Sequence, residues 1–212
     1  MFITLEGSEG SGKTSQMEPL VEHLRRAGYD VVATREPGGT SIGDQIREVL
    51  LTRLENTAMQ QRTEILLFQA ARAQLVDEVI RPALAAGKVV VSDRYADSTL
   101  AYQGYGYQRD LQELRRIVDF ATGGLKPDLT LLFDVDVEVG LRRRRTASEW
   151  NRMDAYDLEF YRRVRQGYLE MAREEPQRWV IIEANRPPEL VQADMLRAVS
   201  QRLNIKIATQ KS

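Results

Sequence analysis

The sequence predicts a three-layer α/β sandwich, in which a five-stranded parallel sheet carries helices on both faces. Five short apolar runs recur along the 212 residues, and the segments between them are long enough to hold crossover helices. The runs are nearly continuously apolar, which is typical of strands covered on both faces. With 42% hydrophobic residues the chain can bury one sizeable core, so we expect residues 1–212 to form a single domain.

The apolar runs are the predicted strands, and helical patterns fill the intervals between them. Leu20, Val21 and Leu24 repeat at helical spacing after the first run, and glycine or proline ends such segments, as at Gly28 and Pro82. The strands are predicted at Phe2–Glu6, Asp30–Thr34, Lys88–Asp93, Leu129–Asp134 and Trp179–Glu183.

Composition excludes several classes of function. The 30 basic and 31 acidic residues nearly cancel, so we expect neither a nucleic-acid partner nor binding to a membrane surface. The absence of cysteine excludes disulfides and thiolate metal sites. No signal-peptide pattern or ~20-residue apolar span occurs, which favours a cytoplasmic location without a membrane partner. His23, the only histidine, is expected on the exposed side of the first helix.

A glycine-rich segment directly after the first strand matches the pattern G-x-x-x-x-G-K-[ST]. Its glycines let backbone N–H groups converge on phosphate oxygens, and the following helix favours anions at its N-terminus. The lysine adds a mobile positive charge and the threonine hydroxyl can ligate Mg²⁺. The sequence therefore predicts a nucleoside-triphosphate site in a P-loop NTPase fold, with an accidental surface turn as the alternative. The segment comprises Gly7, Ser8, Glu9, Gly10, Ser11, Gly12, Lys13 and Thr14.

Polar side chains stand at the carboxyl ends of the next two strands, where open parallel sheets bind ligands. Arg35 follows the second strand, Asp93 ends the third, and Arg94 comes next. A kinase that transfers phosphate between two phosphorylated molecules needs a second anion site, and Arg35 and Arg94 are placed to supply it. Asp93 is placed to bind Mg²⁺ directly or through water, with a turn or helix cap as the alternative.

These residues lie in segments that resemble the thymidylate kinase family, whose members make dTDP from dTMP and ATP. The resemblance extends over most of the chain, with the motifs in the family's order. The segments that carry it most specifically are Thr34-Arg35-Glu36-Pro37-Gly38-Gly39-Thr40 and Ala101-Tyr102-Gln103-Gly104, supported by Leu67-Phe68-Gln69-Ala70-Ala71-Arg72, Asp93-Arg94-Tyr95 and Pro127-Asp128-Leu129-Thr130-Leu131.

The resemblance implies roles for residues that would bind the acceptor phosphate and sugar. Arg35 and Arg94 would hold the dTMP phosphate, for which guanidinium groups are suited. Glu9 would point away from the triphosphate toward the 3′-hydroxyl of the acceptor. Tyr102 would close off the 2′ side of the sugar and favour deoxyribose. The alternatives are solvated loop arginines and, for Tyr102, ordinary turn chemistry before Gly104.

The resemblance also implies a pocket for the base. Phe68 would stack on thymine, although an aromatic residue on an apolar helical stripe also fits core packing. Arg72 lies one turn further along the same helix and would reach a thymine carbonyl or a phosphate, with a surface ion pair as the alternative. Gln103 offers the donor and the acceptor that a pyrimidine edge requires, with ordinary turn chemistry before Gly104 as the alternative.

An arginine-rich segment occupies the position of a small lid over ATP, at about residues 142–154. Arg142 to Arg145 run consecutively and point all round a helix, and Arg152 follows. Because the phosphate loop lacks an arginine, the chain is similar to the bacterial-type enzymes that supply the transition-state arginine from the lid. Arg145 and Arg152 are the leading candidates, ahead of Arg143, and a solvated face or an RNA-binding run are the alternatives. The predicted catalytic residues are Lys13, Asp93, Arg94, Arg145 and Arg152.

The sequence and the resemblance together predict an enzyme that phosphorylates dTMP to dTDP with ATP and Mg²⁺, in dTTP biosynthesis. The resemblance implies a homodimer formed through helices that flank the sheet. Another nucleoside-monophosphate or deoxynucleoside kinase is the alternative within enzymes. Outside enzymes, the alternative is a nucleotide-gated binding module with a phosphate loop.

Overall fold

The computed structural model of the chain describes residues 1–52, 56, 58–145 and 156–205. Within these residues, five parallel strands form one sheet in the order β2-β3-β1-β4-β5. The predicted parallel sheet and strand count are confirmed. The strands are β1 (Phe2–Glu6), β2 (Val31–Arg35), β3 (Val89–Asp93), β4 (Leu129–Asp134) and β5 (Trp179–Glu183).

Helices connect the strands, and two of the connections contain π-helical turns, three in all. These turns are Glu48–Thr52 after α2, Val76–Ile80 between α3 and α4, and Leu100–Gly106 after α5. The helices are α1 (Lys13–Arg26), α2 (Ser41–Arg47), α3 (Gln61–Leu75), α4 (Arg81–Ala85), α5 (Ala96–Thr99), α6 (Leu111–Thr122), α7 (Val137–Arg145), α8 (Leu158–Glu174) and α9 (Pro188–Leu203).

Short polar side chains begin several of these helices. Asp157 accepts a hydrogen bond from the N–H of Phe160 at 2.7 Å and so starts α8. Asp110 does the same for the N–H of Gln112 at 2.7 Å at the start of α6. Both carboxylates satisfy N–H groups that have no partner inside the helix and also favour its positive end.

Apolar residues on the two faces of the sheet form separate clusters, as a three-layer arrangement requires. On one face, Ile3 and Leu131 pack with Leu20 of α1 and Met195 of α9. On the other face, the π-helical turn Leu100–Gly106 and α8 cover the sheet. The three-layer prediction is therefore confirmed. No helix among the described residues is long and apolar enough to cross a membrane.

Two expectations about single positions are corrected by the packing. The second strand runs one residue further than predicted, because Arg35 continues the ladder opposite Asp93. His23 is half-buried rather than exposed, and its Nε2 lies 2.9 Å from the Ser200 hydroxyl of α9. The packing of α9 against α1 explains this burial, which also lowers the pKa of His23.

Candidate active site

A cavity of about 500 Å³ opens at the carboxyl ends of β1, β2 and β3. It lies where neighbouring parallel strands send their connections to opposite faces, which is where such sheets bind ligands. The cavity brings together predicted residues from the phosphate loop, the end of β2, α3, the end of β3 and the π-helical turn after α5. These are Glu9, Gly10, Lys13, Thr14, Arg35, Phe68, Arg72, Asp93, Arg94, Tyr102 and Gln103.

The phosphate loop has a positive φ angle, which favours glycine, at each of its three glycines. Gly10 has a φ of 68° and Gly12, immediately before α1, has a φ of 88°. A Cβ atom on Gly10 would lie 1.9 Å from the carbonyl oxygen of Gly140. The loop therefore packs backbone against backbone on α7, the helix that carries the arginine run.

Lys13 lies inside this loop and is almost fully buried. Its Nζ donates to the carbonyl oxygens of Gly7 and Ser8 at 2.8 and 2.9 Å, and to the Ser11 hydroxyl at 3.1 Å. Burial, together with the smaller effect of the nearby Arg94 charge, lowers the pKa of Lys13 to about 8. A cation held in this desolvated position attracts an anion strongly.

Arg94 stands opposite Lys13 in a left-handed conformation, with a φ of 71°. Its Nη1 donates to the Gly7 carbonyl oxygen at 3.1 Å, the same oxygen that Lys13 contacts. Its Nη2 donates to the Glu9 carboxylate at 3.1 Å and to the Tyr102 hydroxyl at 3.1 Å. The Tyr102 hydroxyl also donates to Glu9, so the Glu9 carboxylate is directed toward Arg94 and Tyr102.

Glu6 lies beneath Arg94 and was missed by the sequence analysis. Its fully buried carboxylate accepts from the N–H of Tyr95 at 2.8 Å, and from the hydroxyls of Ser98 and Tyr168 at 2.6 and 2.9 Å. The same two hydroxyls accept from Arg94 Nη1 at 3.1 and 3.3 Å. Burial raises the pKa of Glu6 to about 7. Glu6 thus anchors both the backbone after Arg94 and the groups around its guanidinium.

Thr14 and Asp93 form the oxygen pair expected for a metal ion. The Thr14 hydroxyl donates to Asp93 Oδ2 at 2.8 Å, beside the loop that would hold the phosphates. Hard oxygen ligands of this kind suit Mg²⁺, which takes few protein ligands and completes its shell with phosphate oxygens and water. The described residues contain no cluster of three or more His, Cys, Asp or Glu side chains that could hold a metal ion by themselves.

Arg72 makes a buried ion pair, so the alternative of a surface pair is wrong. Its Nε and Nη2 donate to Glu36 Oε2 at 2.8 and 2.6 Å. Its remaining hydrogen bonds go to the side chains of Gln69 and Thr99, both at 2.8 Å, and to the Tyr95 carbonyl oxygen at 3.0 Å. The guanidinium borders the cavity with its five N–H groups engaged, so a ligand would have to share them.

Phe68 and Gln103 form the wall on the α3 side. Phe68 is half-buried, packs against the cluster on that face and borders the cavity, so core packing and stacking are both open to it. Gln103 is only 2% exposed, and its Nε2 donates to Glu64 Oε1 at 2.9 Å. Arg35, by contrast, is 58% exposed at its side chain, and among the described residues its guanidinium makes only a long contact of 3.4 Å with Asp44.

The arginine run divides between several environments. Arg143 donates to the Ala184 carbonyl oxygen at 2.8 Å, Arg144 borders the cavity, and Arg145 is exposed as the last residue of α7. Arg152 and most of the predicted lid lie outside the described residues. Arg144 and Arg47 are cavity residues that the sequence analysis did not select.

Arg47 reaches the cavity from the last turn of α2. Its Nη1 donates to the Pro37 carbonyl oxygen at 2.9 Å. Burial and the neighbouring Arg35 lower the pKa of Arg47. No motif marks this residue, because its position depends on how α2 packs against α3. With Arg35 and Arg94, it makes this end of the cavity strongly cationic.

Comparisons with known proteins found several similar chains. Residues 5–195 match the family model described as thymidylate kinase. A thymidylate kinase of Deinococcus radiodurans is 50% identical over 202 residues, which cover 95% of this chain and 97% of that protein. One of Thermomicrobium roseum is 53% identical over 191 residues and covers 90% of each chain. The crystal structure of thymidylate kinase from Ehrlichia chaffeensis matches with a TM-score of 0.76 and 34% identity, covering 94% of this chain and 98% of that one.

Proposed function

Because the chain belongs to the thymidylate kinase family, it phosphorylates dTMP to dTDP in dTTP biosynthesis, and we propose that the phosphoryl donor is ATP, used with Mg²⁺. A phosphate oxygen of dTMP attacks the γ-phosphorus of ATP, the bond between that phosphorus and the β-phosphate oxygen breaks, and ADP leaves. The site must therefore hold two anionic phosphates that face one another.

The observation that carries the proposal is the meeting of two cations at one oxygen. Lys13 from the phosphate loop and Arg94 from the opposite wall both donate to the Gly7 carbonyl oxygen, at 2.8 and 3.1 Å. Two like charges at this separation repel each other, which is one reason for the low pKa of Lys13. A transferring phosphoryl group between them removes that repulsion. In this proposal Lys13 binds the phosphates of ATP, the phosphoryl donor, and Arg94 binds the phosphate of dTMP, the acceptor.

The acceptor phosphate is held at the cationic end of the cavity. Arg94 lies there with its guanidinium oriented by Glu9 and Tyr102, while Arg35 is free to swing because it is largely exposed. Glu9 and Tyr102 border the same space and are placed to contact the deoxyribose. Phe68, Arg72 and Gln103 form the wall against which the thymine lies.

Thr14 and Asp93 would hold Mg²⁺, since their oxygens are adjacent beside the phosphate loop. When bound, the ion neutralises charge on the β- and γ-phosphates. Asp93 is kept at this position by the ladder of β3, which pairs it with Arg35 and Leu5.

We propose that arginines of α7, together with Arg152, meet further charge on the transferring group. Arg144 borders the cavity, and Arg145 lies at the end of the same helix. The contact between Gly10 and Gly140 fixes this helix against the phosphate loop. We keep Arg145, the last residue of α7, and Arg152, which lies outside the described residues, as the proposed transition-state arginines.

A homodimer and a cytoplasmic location complete the proposal. Two large apolar side chains are exposed on the neighbouring helices α3 and α6, Leu66 at 60% and Phe120 at 90%. Exposed apolar residues on helices that flank the sheet suit a self-association surface. Sedimentation of the wild-type chain and a Phe120→Asp variant tests this, since the variant is expected to be monomeric. The absence of cysteine fits a reducing compartment.

A panel of acceptors with ATP and Mg²⁺ tests the proposed chemistry through ADP release. We expect dTMP to be phosphorylated far better than AMP, CMP or GMP, and thymidine not at all, because the cationic end requires a phosphate. Lys13→Ala should abolish turnover and retain the thermal unfolding transition. Preference for AMP would contradict the assignment of the base pocket, and thymidine turnover would contradict the acceptor phosphate site.

A further inference from the structure

Gln103 has a fixed orientation in the wall of the cavity. Its side-chain amide is nearly fully buried, and Nε2 donates to Glu64 Oε1 at 2.9 Å. The carbonyl oxygen, Oε1, has no hydrogen-bond partner among the described residues, and Gln103 borders the cavity. The two prongs of the amide thus have different surroundings. The amide nitrogen donates to the protein, and the carbonyl oxygen is available to accept a hydrogen bond from a ligand.

Glu64 is the residue that determines which prong faces the protein. It is 1% exposed in the first turn of α3, and its Oε1 accepts from both Gln103 Nε2 and the Tyr107 hydroxyl, at 2.9 and 2.8 Å. An ionised carboxylate can only accept hydrogen bonds. If the amide of Gln103 were reversed, two acceptor oxygens would face each other in a buried environment, which is strongly unfavourable.

The orientation matters because pyrimidines differ at the edge that meets such an amide. Thymine and uracil carry a donor, N3–H, whereas N3 of cytosine is an acceptor. An exposed Oε1 can accept from N3–H but is repelled by the lone pair of cytosine N3. A glutamine with no fixed orientation would serve both bases, since it carries a donor and an acceptor.

We propose that Glu64 is a positioning residue that sets base specificity, by holding the Gln103 amide with its oxygen toward the base. This role accounts for a carboxylate at the position, because an oxygen that only accepts hydrogen bonds fixes the direction of the neighbouring amide. The inference rests on the proposed function, in which the base of dTMP lies against Gln103.

The test is the Glu64→Gln variant, which keeps the size of the side chain and adds a donor. The new amide can donate to Gln103 Oε1, so Gln103 can reverse and present Nε2 to the base. We measure kcat/KM for dTMP, dUMP and dCMP with ATP. The ratio of dTMP to dCMP should fall at least tenfold. The ratio of dTMP to dUMP should stay within twofold of the wild type, because both bases present the same N3–H.

Tyr107→Phe is the matched control. It removes the other hydrogen bond to the same carboxylate oxygen but leaves that oxygen as an acceptor for Gln103. A structural role for Glu64 alone would predict similar effects of both variants. The proposed role predicts that Tyr107→Phe retains the wild-type ratio of dTMP to dCMP. If Glu64→Gln does not fold, the double variant Glu64→Met/Tyr107→Phe serves instead. It removes both the carboxylate that orients the Gln103 amide and the phenol hydroxyl that donates to this carboxylate. The same fall in the ratio of dTMP to dCMP is expected.

Gln103→Met separates this inference from the proposed function. It removes both the donor and the acceptor of the amide. The value of kcat/KM should fall more than tenfold for dTMP and stay within about threefold of the wild type for dCMP. An unchanged value for dTMP would overturn the placement of the base and with it the inference. A loss for dTMP in Gln103→Met, together with a wild-type ratio in folded Glu64→Gln, would overturn the role of Glu64 alone.

Discussion

Lys13 should take up a proton when a nucleoside triphosphate binds above pH 8. Burial among the carbonyl oxygens of Gly7 and Ser8 lowers its pKa from 10.5 to about 8. This displacement corresponds to roughly 3 kcal/mol in favour of the neutral amine. A bound phosphate places negative charge against the amine and returns the pKa toward its ordinary range or above.

The expected proton uptake follows from the free-enzyme pKa of about 8. At pH 8 about half of the free molecules carry a neutral Lys13, and at pH 9 about nine in ten do. Binding should therefore take up about 0.5 proton at pH 8 and about 0.9 at pH 9, and nucleotide affinity should fall up to about tenfold per unit above pH 8. Without nucleotide, folding disfavours the charged form of Lys13. The contribution of Lys13 to the free energy of unfolding therefore increases as pH rises from 8 to 10.5.

Calorimetric titration with ATP in two buffers of different ionisation enthalpy measures the uptake. Lys13→Arg is the control, since a guanidinium stays charged at pH 9 and should take up no proton for each nucleotide bound. Uptake below about 0.2 proton at pH 9 in the wild type would refute the reasoning, because it would mean that the buried amine is already charged. Equal uptake in both proteins would place the proton elsewhere.

Three further predictions concern other parts of the site. Burial raises the pKa of Glu6 to about 7. As pH rises from 4.5 to 7, urea denaturation should therefore show the free energy of unfolding of the wild type declining relative to that of Glu6→Gln. A constant difference between the two proteins would contradict this prediction. Arg35→Ala should raise KM for dTMP at least tenfold yet change stability by under about 0.5 kcal/mol, since its contact with Asp44 is exposed; unchanged KM would remove Arg35 from the acceptor site. Arg145→Ala combined with Arg152→Ala should lower kcat about 10³-fold with dTMP affinity nearly unchanged, and a kcat within twofold would make the lid a mere cover.

Local patterns in the sequence determine much of this protein. The glycine spacing from Gly7 to Gly12, the lysine after it and the preceding apolar strand predict the phosphate loop, because backbone conformation there depends on residues close together. The apolar runs predict the strands to within a residue or so, because a strand covered on both faces must be apolar throughout. Arg35 and Arg94 could be placed together, because parallel strands end at one edge.

The tertiary structure decided what lies around those residues. Glu6 contacts Tyr95, Ser98 and Tyr168, which are 89 to 162 positions away in the chain, and nothing near Glu6 in the sequence signals that environment. Arg47 and Arg144 enter the cavity because of how α2 and α7 pack. Arg72 is buried because Glu36, 36 positions away, pairs with it.

One physical cause separates the features that the sequence determines from those that only the tertiary structure decides. The sequence by itself determined the elements and the phosphate loop, because hydrogen bonds and glycine conformations within a strand, turn or helix depend on neighbouring residues. Only the tertiary structure decided the lowered pKa of Lys13, the buried partner of Arg72 and the orientation of Gln103, because each depends on groups brought close by packing of distant segments. Desolvation and charge pairing act through space, so their effects on a side chain appear only after the chain has folded.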